Sequence, residues 1–284
     1  MGSGPSGSLH RAPTDFTRPD SKCEPVNRVF DLQRITQQAQ LQHIEYHESL
    51  DSTNKLAARL AEQLRAVCPA LVLTASQTAG RGRGSNSWQA TEGALTFSVV
   101  YDREAIGLSP QRLPQLSLAA GLAVRQVLAE RTDRPCLVKW PNDVLVSEQK
   151  ICGILTEQHH TGGGEIIVVG IGINVNNSLV ATAADFRTSA TSLYDATGQL
   201  FDLSDTLIAT VNQLNASIRL LSDRPREFFA KLNRFSQLNG RDVEIDDGTR
   251  TITGRCLGVD EDGRLLLDQG GAHARVIAGT VVRW

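Results

Sequence analysis

The sequence predicts an α+β fold: a mixed β-sheet domain with flanking helices, followed by a small C-terminal β-barrel. Three observations carry this. Strand-like and helix-like runs alternate through about residue 236. From 238 to 284 only short β-type runs occur ("DVEI", "RTITGRCLGV", "GRLLLD", "ARVIAGTVVRW"), separated by Asp-Gly and Gly-Gly turns. Residues 1–27 are rich in Gly, Ser and Pro and lack the apolar surface to order themselves, which predicts a disordered tail. The expected organisation is therefore 1–27 tail, 28–236 main domain and 237–284 β domain.

Each element has a local reason. A helix is expected over 52–65, where Leu56, Ala57, Leu60, Ala61 and Leu64 fall at helical spacing behind Ser52 or Thr53 as cap. "ALVLTAS" (70–76) and "ALTFSVVY" (94–101) read as buried strands around a glycine loop. "RLPQLSLAAGLAVRQVLAERT" (112–132) reads as a long helix with Pro114 in its first turn. "CLVKW" (136–140) and "VLVS" (144–147) are strand pieces broken at Pro141. "KICGILTEQHH" and "EIIVVGIGINV" flank "TGGG" as a hairpin. Helices follow at about 203–222 and 225–235.

Composition excludes several classes. The 284 residues carry a formal net charge of −2, so no overall basic field recruits nucleic acid or anionic membrane. Cys23, Cys68, Cys136, Cys152 and Cys256 are odd in number, widely spaced and without C-x-x-C, arguing against a disulfide framework or a zinc site. No apolar run suits a membrane span or a secretory signal, so a soluble, cytoplasmic protein is expected. Lysine occurs at only five positions, and two of them, Lys139 and Lys150, share one short stretch.

That stretch is one of four clusters that suggest chemistry. "TAGRGRGSNSW" (78–88) sets Gly80, Gly82 and Gly84 around Arg81 and Arg83 and ends on Trp88. Glycines let a backbone approach a ligand, and arginines pair with carboxylate or phosphate. A P-loop needs a lysine that is missing here, and the dinucleotide fingerprint fails at Ser85. A mobile surface loop or an RNA-touching arginine-glycine segment stays open. "VKWPNDVLVSEQKICGILTE" (138–157) gathers Lys139, Asn142, Asp143 and Lys150. Its Asn and Asp are oxygen ligands of the kind Mg²⁺ takes beside phosphates, and the competing reading is a solvated turn. "GIGINVN" (170–176) ends in Asn174 and Asn176. "ESLDSTNKLA" (48–57) carries Ser52, Thr53 and Asn54, which as a lone stretch read as helix caps.

Taken in order, "DSTN", Gln77 with "AGRGRG…W", "KWPNDV", "KICGILTE" and "GIGINVN" strongly resemble the biotin protein ligase (biotin–[acetyl-CoA-carboxylase] ligase) family over residues 48–176. The tail from 238 resembles that family's SH3-like C-terminal domain. The resemblance implies a biotin/lipoate ligase-like catalytic domain that makes biotinyl-5′-AMP and pyrophosphate from biotin and Mg-ATP. Biotin then passes to one lysine of a biotin carboxyl carrier protein. It implies that Ser52, Thr53, Asn54 and Gln77 hold biotin, and that Gly80, Arg81, Gly82 and Arg83 form the loop closing over biotin and adenylate. Lys150 would meet the biotin carboxylate and the α-phosphate. Trp88, Asn142, Asp143 and Asn174 would serve the nucleotide, with Asp143 toward Mg²⁺. Gly153, Leu155 and Gly170 would line the biotin channel. Lys150, Arg83 and Asp143 are the expected catalytic set, Asp143 as base for the acceptor lysine.

The family loop often reads G-R-G-R-x-G-R-x-W. Here Ser85 stands where the third glycine falls, Asn86 replaces the next arginine, and Gly84 sits one place early. The change keeps flexibility but removes a cation, which bears on adenylate retention rather than on reaction class. A lipoate or octanoate ligase of the same fold is the nearest rival, but its R-R-x-S-G-G-G pattern is absent and "KWPND" is present. A biotin-sensing regulator is the other alternative, which the presence of Lys150, Asn142 and Asp143 argues against. DNA binding is not expected, since the residues before "ESLDSTN" show no paired-helix pattern or basic stripe. A homodimer with the hairpin around Gly162–Gly164 at a subunit edge is a further expectation.

Overall fold

The computed structural model describes residues 1, 29–179 and 190–284. Apart from Met1, the expected tail 1–27 lies outside the described residues. The chain runs α1 (Leu32–Gln38), β1 (His43–Leu50), α2 (Thr53–Arg59), α3 (Ala61–Arg65), β2 (Ala70–Arg81), β3 (Ser87–Ala90), β4 (Ala94–Asp102), a 3-10 turn (Pro110–Gln115), α4 (Leu116–Ala129), β5 (Cys136–Lys139), β6 (Asp143–Val146), β7 (Gln149–Thr161) and β8 (Gly164–Asn174). Then come α5 (Leu193–Thr197), α6 (Leu203–Asp223), α7 (Pro225–Arg234), β9 (Asp242–Asp246), β10 (Thr251–Val259), β11 (Leu265–Asp268), β12 (His273–Val276) and β13 (Thr280–Arg283).

The larger sheet is mixed, ordered β1-β2-β4-β8-β7-β6-β5, with β3 paired to the end of β2. Only β1 runs parallel to its neighbour. One face is covered by α4, which also packs on α6, with α1 and α7 behind. Leu95, Phe97 and Val99 of β4 point into that core. The other face is divided. At one end Ala70, Val72, Val100, Ile166 and Val168 bury Leu56, Ala57, Ala61 and Leu64 of α2 and α3. Toward the other end the same face carries small and polar residues: Thr96 and Ser98 on β4, Gly170, Gly172 and Asn174 on β8, and Gly153 on β7. Among the described residues no helix covers that half, and a trough remains.

The smaller sheet, β12-β11-β10-β9-β13, is all antiparallel. Val243, Ile245, Cys256, Val259, Leu265 and Leu267 make its buried side continuous with the main core. The α+β class is thus as expected, with an all-β unit at the C-terminus.

Several boundaries differ from expectation. The strand expected over 70–76 continues to Arg81, because β3 returns alongside it and pairs Gly80 with Trp88 and Arg81 with Ser87. The glycine loop is therefore a β-hairpin with its bend confined to 82–86. The helix expected over 52–65 is broken at Leu60, which nothing in the sequence marks. The helix expected from 112 starts as a 3-10 turn because Pro110 and Pro114 lack the N–H an α-helix needs, and α-helix begins only at Leu116. "ARVIAGTVVRW" splits into β12 and β13 around Gly279. There φ is +155°, and a Cβ would sit 2.6 Å from Ile245 Cγ2. α1 and β1 were not anticipated; α1 is short and capped by Asp31, whose carboxylate accepts from Arg34 N. No helix among the described residues is long and apolar enough to cross a membrane.

Burial of the thiols has a consequence for alkaline stability. Desolvation raises Cys136, Cys152 and Cys256 above the ordinary thiol range and pushes Cys68 up to about 11. An unfolded thiol ionises near ~8.5, so above that pH the unfolded chain loses protons that the folded chain keeps, and stability falls. Lys139 acts oppositely, since burial lowers it to about 8. Four acids outweigh one base. The unfolding free energy of the reduced protein is expected to fall between about pH 8.5 and 11 by on the order of a few kcal/mol, and its urea midpoint with it. A midpoint that rises over that range would contradict this.

Candidate active site

The trough is the floor of a cavity of about 630 Å³. Its walls are the N-terminus of α2, the β2–β3 hairpin, the turn between β5 and β6, and the Gly279–Val281 edge of the small sheet. Ser52, Thr53, Asn54, Gln77, Arg81, Gly82, Arg83, Trp88, Asn142, Asp143, Lys150, Gly153, Leu155, Gly170 and Asn174 all line it. Of the expected residues only Gly80 does not. It is a hairpin position, where a Cβ would overlap the Trp88 carbonyl, so its glycine serves strand pairing.

At the α2 end the polar groups form a closed network. Ser52, Thr53 and Asn54 are buried, and Ser52 makes no capping bond with its side chain. The simple helix-cap reading of these residues therefore fails. Thr53 N donates to Gln77 Oε1 (3.0 Å). Ser98 Oγ lies 2.7 Å from Thr53 Oγ1 and 2.6 Å from Asn54 Oδ1. Asn54 Nδ2 donates to Leu155 O (3.1 Å) and Glu157 Oε2 (2.7 Å). Glu157 in turn pairs with Arg81, Nη1 to Oε1 at 3.0 Å. Gly170 is required by this network: a Cβ there would overlap Asn54 Oδ1.

The centre is apolar. The Trp88 indole lies over Gly153 and Gly172. A Cβ on Gly172 would overlap its ring, and one on Gly153 would sit 3.3 Å from Cε3. The indole Nε1 is buried and has no partner among the described residues. Period-two spacing puts Gly170, Gly172 and Asn174 on one strand face, and Gly153, Leu155 and Glu157 on the facing strand.

At the far end the charges concentrate. Lys150 Nζ lies 2.6 Å from Asp143 Oδ1. Asn142 joins its turn to β7, donating from Nδ2 to Ile154 O (2.8 Å) and accepting from Ile154 N at its carbonyl (3.0 Å). The alternative of a merely solvated turn does not hold. Arg83 donates through Nη2 to the Gly279 carbonyl, so the hairpin tip touches the small sheet. Burial lowers its guanidinium, with Asp143 opposing. Asn174 lines the cavity, but its amide is engaged, donating to Thr191 O (3.1 Å) and accepting from Asn177 Nδ2 (3.1 Å). Gly84 is the tip of the hairpin, at φ +63°, while Gly82 N donates to Asn86 O (2.8 Å). The glycine that sits one place early is thus the one at the bend, and Asn86 closes the turn.

Sequence reading singled out Lys139 but gave it no role, and it missed Gly172 and the Gly279–Val281 edge of the cavity as well as Ser98 and Glu157 of the Asn54 network. Gly172 and Glu157 were reachable through strand periodicity. Gly279–Val281 come from over a hundred residues away and left no local signal.

Such a cavity can hold an extended ligand: hydrogen-bonding groups at one end, an indole and glycines in the middle, and cations with one carboxylate at the other. Residues 46–174 match the biotin/lipoate A/B protein ligase family, and 239–284 match the biotin protein ligase C-terminal domain. The chain is 34% identical to the bifunctional ligase/repressor BirA of Bacillus subtilis, over 80% of this chain and 70% of that one. It is 33% identical to the biotin–[acetyl-CoA-carboxylase] ligase of Mycobacterium tuberculosis, over 75% and 78%. Its fold matches a biotin protein ligase from Aquifex aeolicus, solved with biotin and ATP, at a TM-score of 0.72 and 29% identity, covering 84% of this chain and 97% of that one.

Proposed function

The chain belongs to the biotin protein ligase family, and on that premise we propose how its cavity activates biotin with ATP and passes it to a carboxylase carrier. The observation that carries the reading is the single cavity that joins a hydrogen-bonding pocket to a cation cluster. A lipoate substrate is not favoured.

In the first step a biotin carboxylate oxygen attacks the α-phosphorus of ATP, and pyrophosphate leaves. Two anions must meet, so cations that hold them without reorganising lower the barrier. Lys150 and Arg83 supply that charge. The Ser52–Asn54 end and Gln77 hold the ureido ring, and Trp88 covers the ligand. The mixed anhydride is sensitive to water, so closure of the hairpin matters. In the second step the acceptor amine attacks the acyl carbon, AMP leaves, and a proton must be taken up. Asp143 is the one carboxylate among the lining residues and is assigned that role.

Magnesium would arrive with the nucleotide. Among the described residues no group of three acidic, His or Cys side chains could cage a metal ion. One carboxylate beside phosphates fits a Mg²⁺ that keeps most of its ligands from ATP and water. Asp143 and Asn142 would hold it there, where it would shield phosphate charge.

Mixing the protein with biotin, Mg-ATP and a biotin carboxyl carrier domain should biotinylate one lysine of that domain, read by intact mass. An unmodified carrier would contradict the transfer step. Gly170→Ala should raise KM for biotin about tenfold and lower the melting temperature, because Asn54 is held on three sides and cannot retreat from the added methyl group. An unchanged KM would remove the Asn54 network from biotin recognition.

A further inference from the structure

Lys139 differs from Lys150 and Arg81 in the same cavity, and from Arg83, which is held by the Gly279 carbonyl. Lys150 and Arg81 each have a carboxylate within 3.0 Å. Lys139 is only 6% exposed, lines the same cavity, and among the described residues has no carboxylate within 4.0 Å of its ammonium. Its Nζ instead lies 3.4 Å from the centroid of the Trp284 indole. Trp284 is the last residue of the sequence and is half-buried directly after β13. β13 is set by pairing with β9, and its first residues form part of the cavity wall. Trp140 Nε1 donates to Gly263 O (3.1 Å) and ties the same turn to the small sheet.

A buried ammonium is costly without compensation. A carboxylate would compensate it but cancel its field. An aromatic face attracts the cation through its quadrupole and leaves the full positive charge in place. This is the arrangement suited to a cation kept for an incoming anion. We infer that Trp284 positions Lys139 as a ligand for the phosphate chain of the nucleotide. Lys139 touches the substrate and Trp284 acts through it, so Trp284 is a positioning residue. The inference rests on the ligase reading, since that reading brings ATP to this end of the cavity.

The test uses the full chain with ¹³C-labelled lysine. The sequence has five lysines, so the spectrum is sparse. In the wild type the Lys139 side-chain methylene protons nearest Nζ should be shifted upfield by the indole ring current, and Mg-ATP alone should move them. Trp284→Leu keeps apolar bulk but has no π face. It should abolish the upfield shift and raise KM for ATP in biotin-dependent pyrophosphate exchange on the order of tenfold, leaving KM for biotin unchanged. Trp284→Phe should restore most of the ATP affinity. A wild-type KM for ATP in Trp284→Leu would overturn the inference. So would equal losses for both substrates in Trp284→Leu and Trp284→Phe with lowered melting temperatures, which would mark a structural role. Absence of exchange in the wild type would count against the ligase reading instead. The response of the Lys139 resonance to Mg-ATP would then decide this inference by itself, movement supporting it and none overturning it.

Discussion

Lys150→Ala should slow formation of biotinyl-adenylate by about 10²–10³-fold in a single turnover, while the protein melts as the wild type does. Lys150 enters β7 beside the β6 bulge, and its side chain is 30% exposed, so no core contact depends on it. Its loss does two things to the site. By the proposed mechanism it removes the donor assigned to the meeting carboxylate and α-phosphate, and it leaves the Asp143 carboxylate without the partner now 2.6 Å away. The second effect adds repulsion against both substrates. Asp143→Asn in the same chain should therefore recover part of the substrate affinity but not the rate. An adenylation rate near that of the wild type in Lys150→Ala would show that this lysine does not stabilise the reacting anions.

Arg83→Ala should release biotinyl-AMP into solution about 10–100-fold faster, the range expected for a lost charge-assisted hydrogen bond. Arg83 stands at the hairpin bend, and its guanidinium reaches the Gly279 carbonyl on the small sheet. One bond thus fastens the hairpin bend to the Gly279–Val281 wall of the small sheet. With alanine the tip has no such anchor, water enters, and the adenylate escapes before the carrier arrives. Labelling of bystander lysines in a mixed protein sample, measured by mass spectrometry, reports the leak. Unchanged release would mean that the hairpin is held closed by other contacts. This anchor also bears on the cation missing from the loop motif at Asn86. Asn86 instead accepts the Gly82 N–H through its backbone and closes the turn.

Much of the site was legible because its motifs are local. "DSTN" lies at one helix start, "KWPND" at one strand turn, and the glycines of "GIGIN" on one strand face. Spacing alone puts such residues on a common surface. The extent of the hairpin was not legible, because "AGRGR" has no strand propensity of its own and becomes β only when Ser87–Ala90 pair with it. The edge strand β1 and the short α1 escaped for the same reason: their order comes from β2 and α6 rather than from their own pattern. Trp284 and Gly279 were read as the end of a barrel. Their place in the cavity depends on how the small sheet packs against the large one, and no sequence spacing encodes that.

The central claim is that this cavity adenylates biotin, and ATP–pyrophosphate exchange with the purified protein and Mg²⁺ tests it most directly. The account predicts exchange that depends on biotin and is absent with lipoate. Exchange with lipoate instead, or with neither acid, would contradict it.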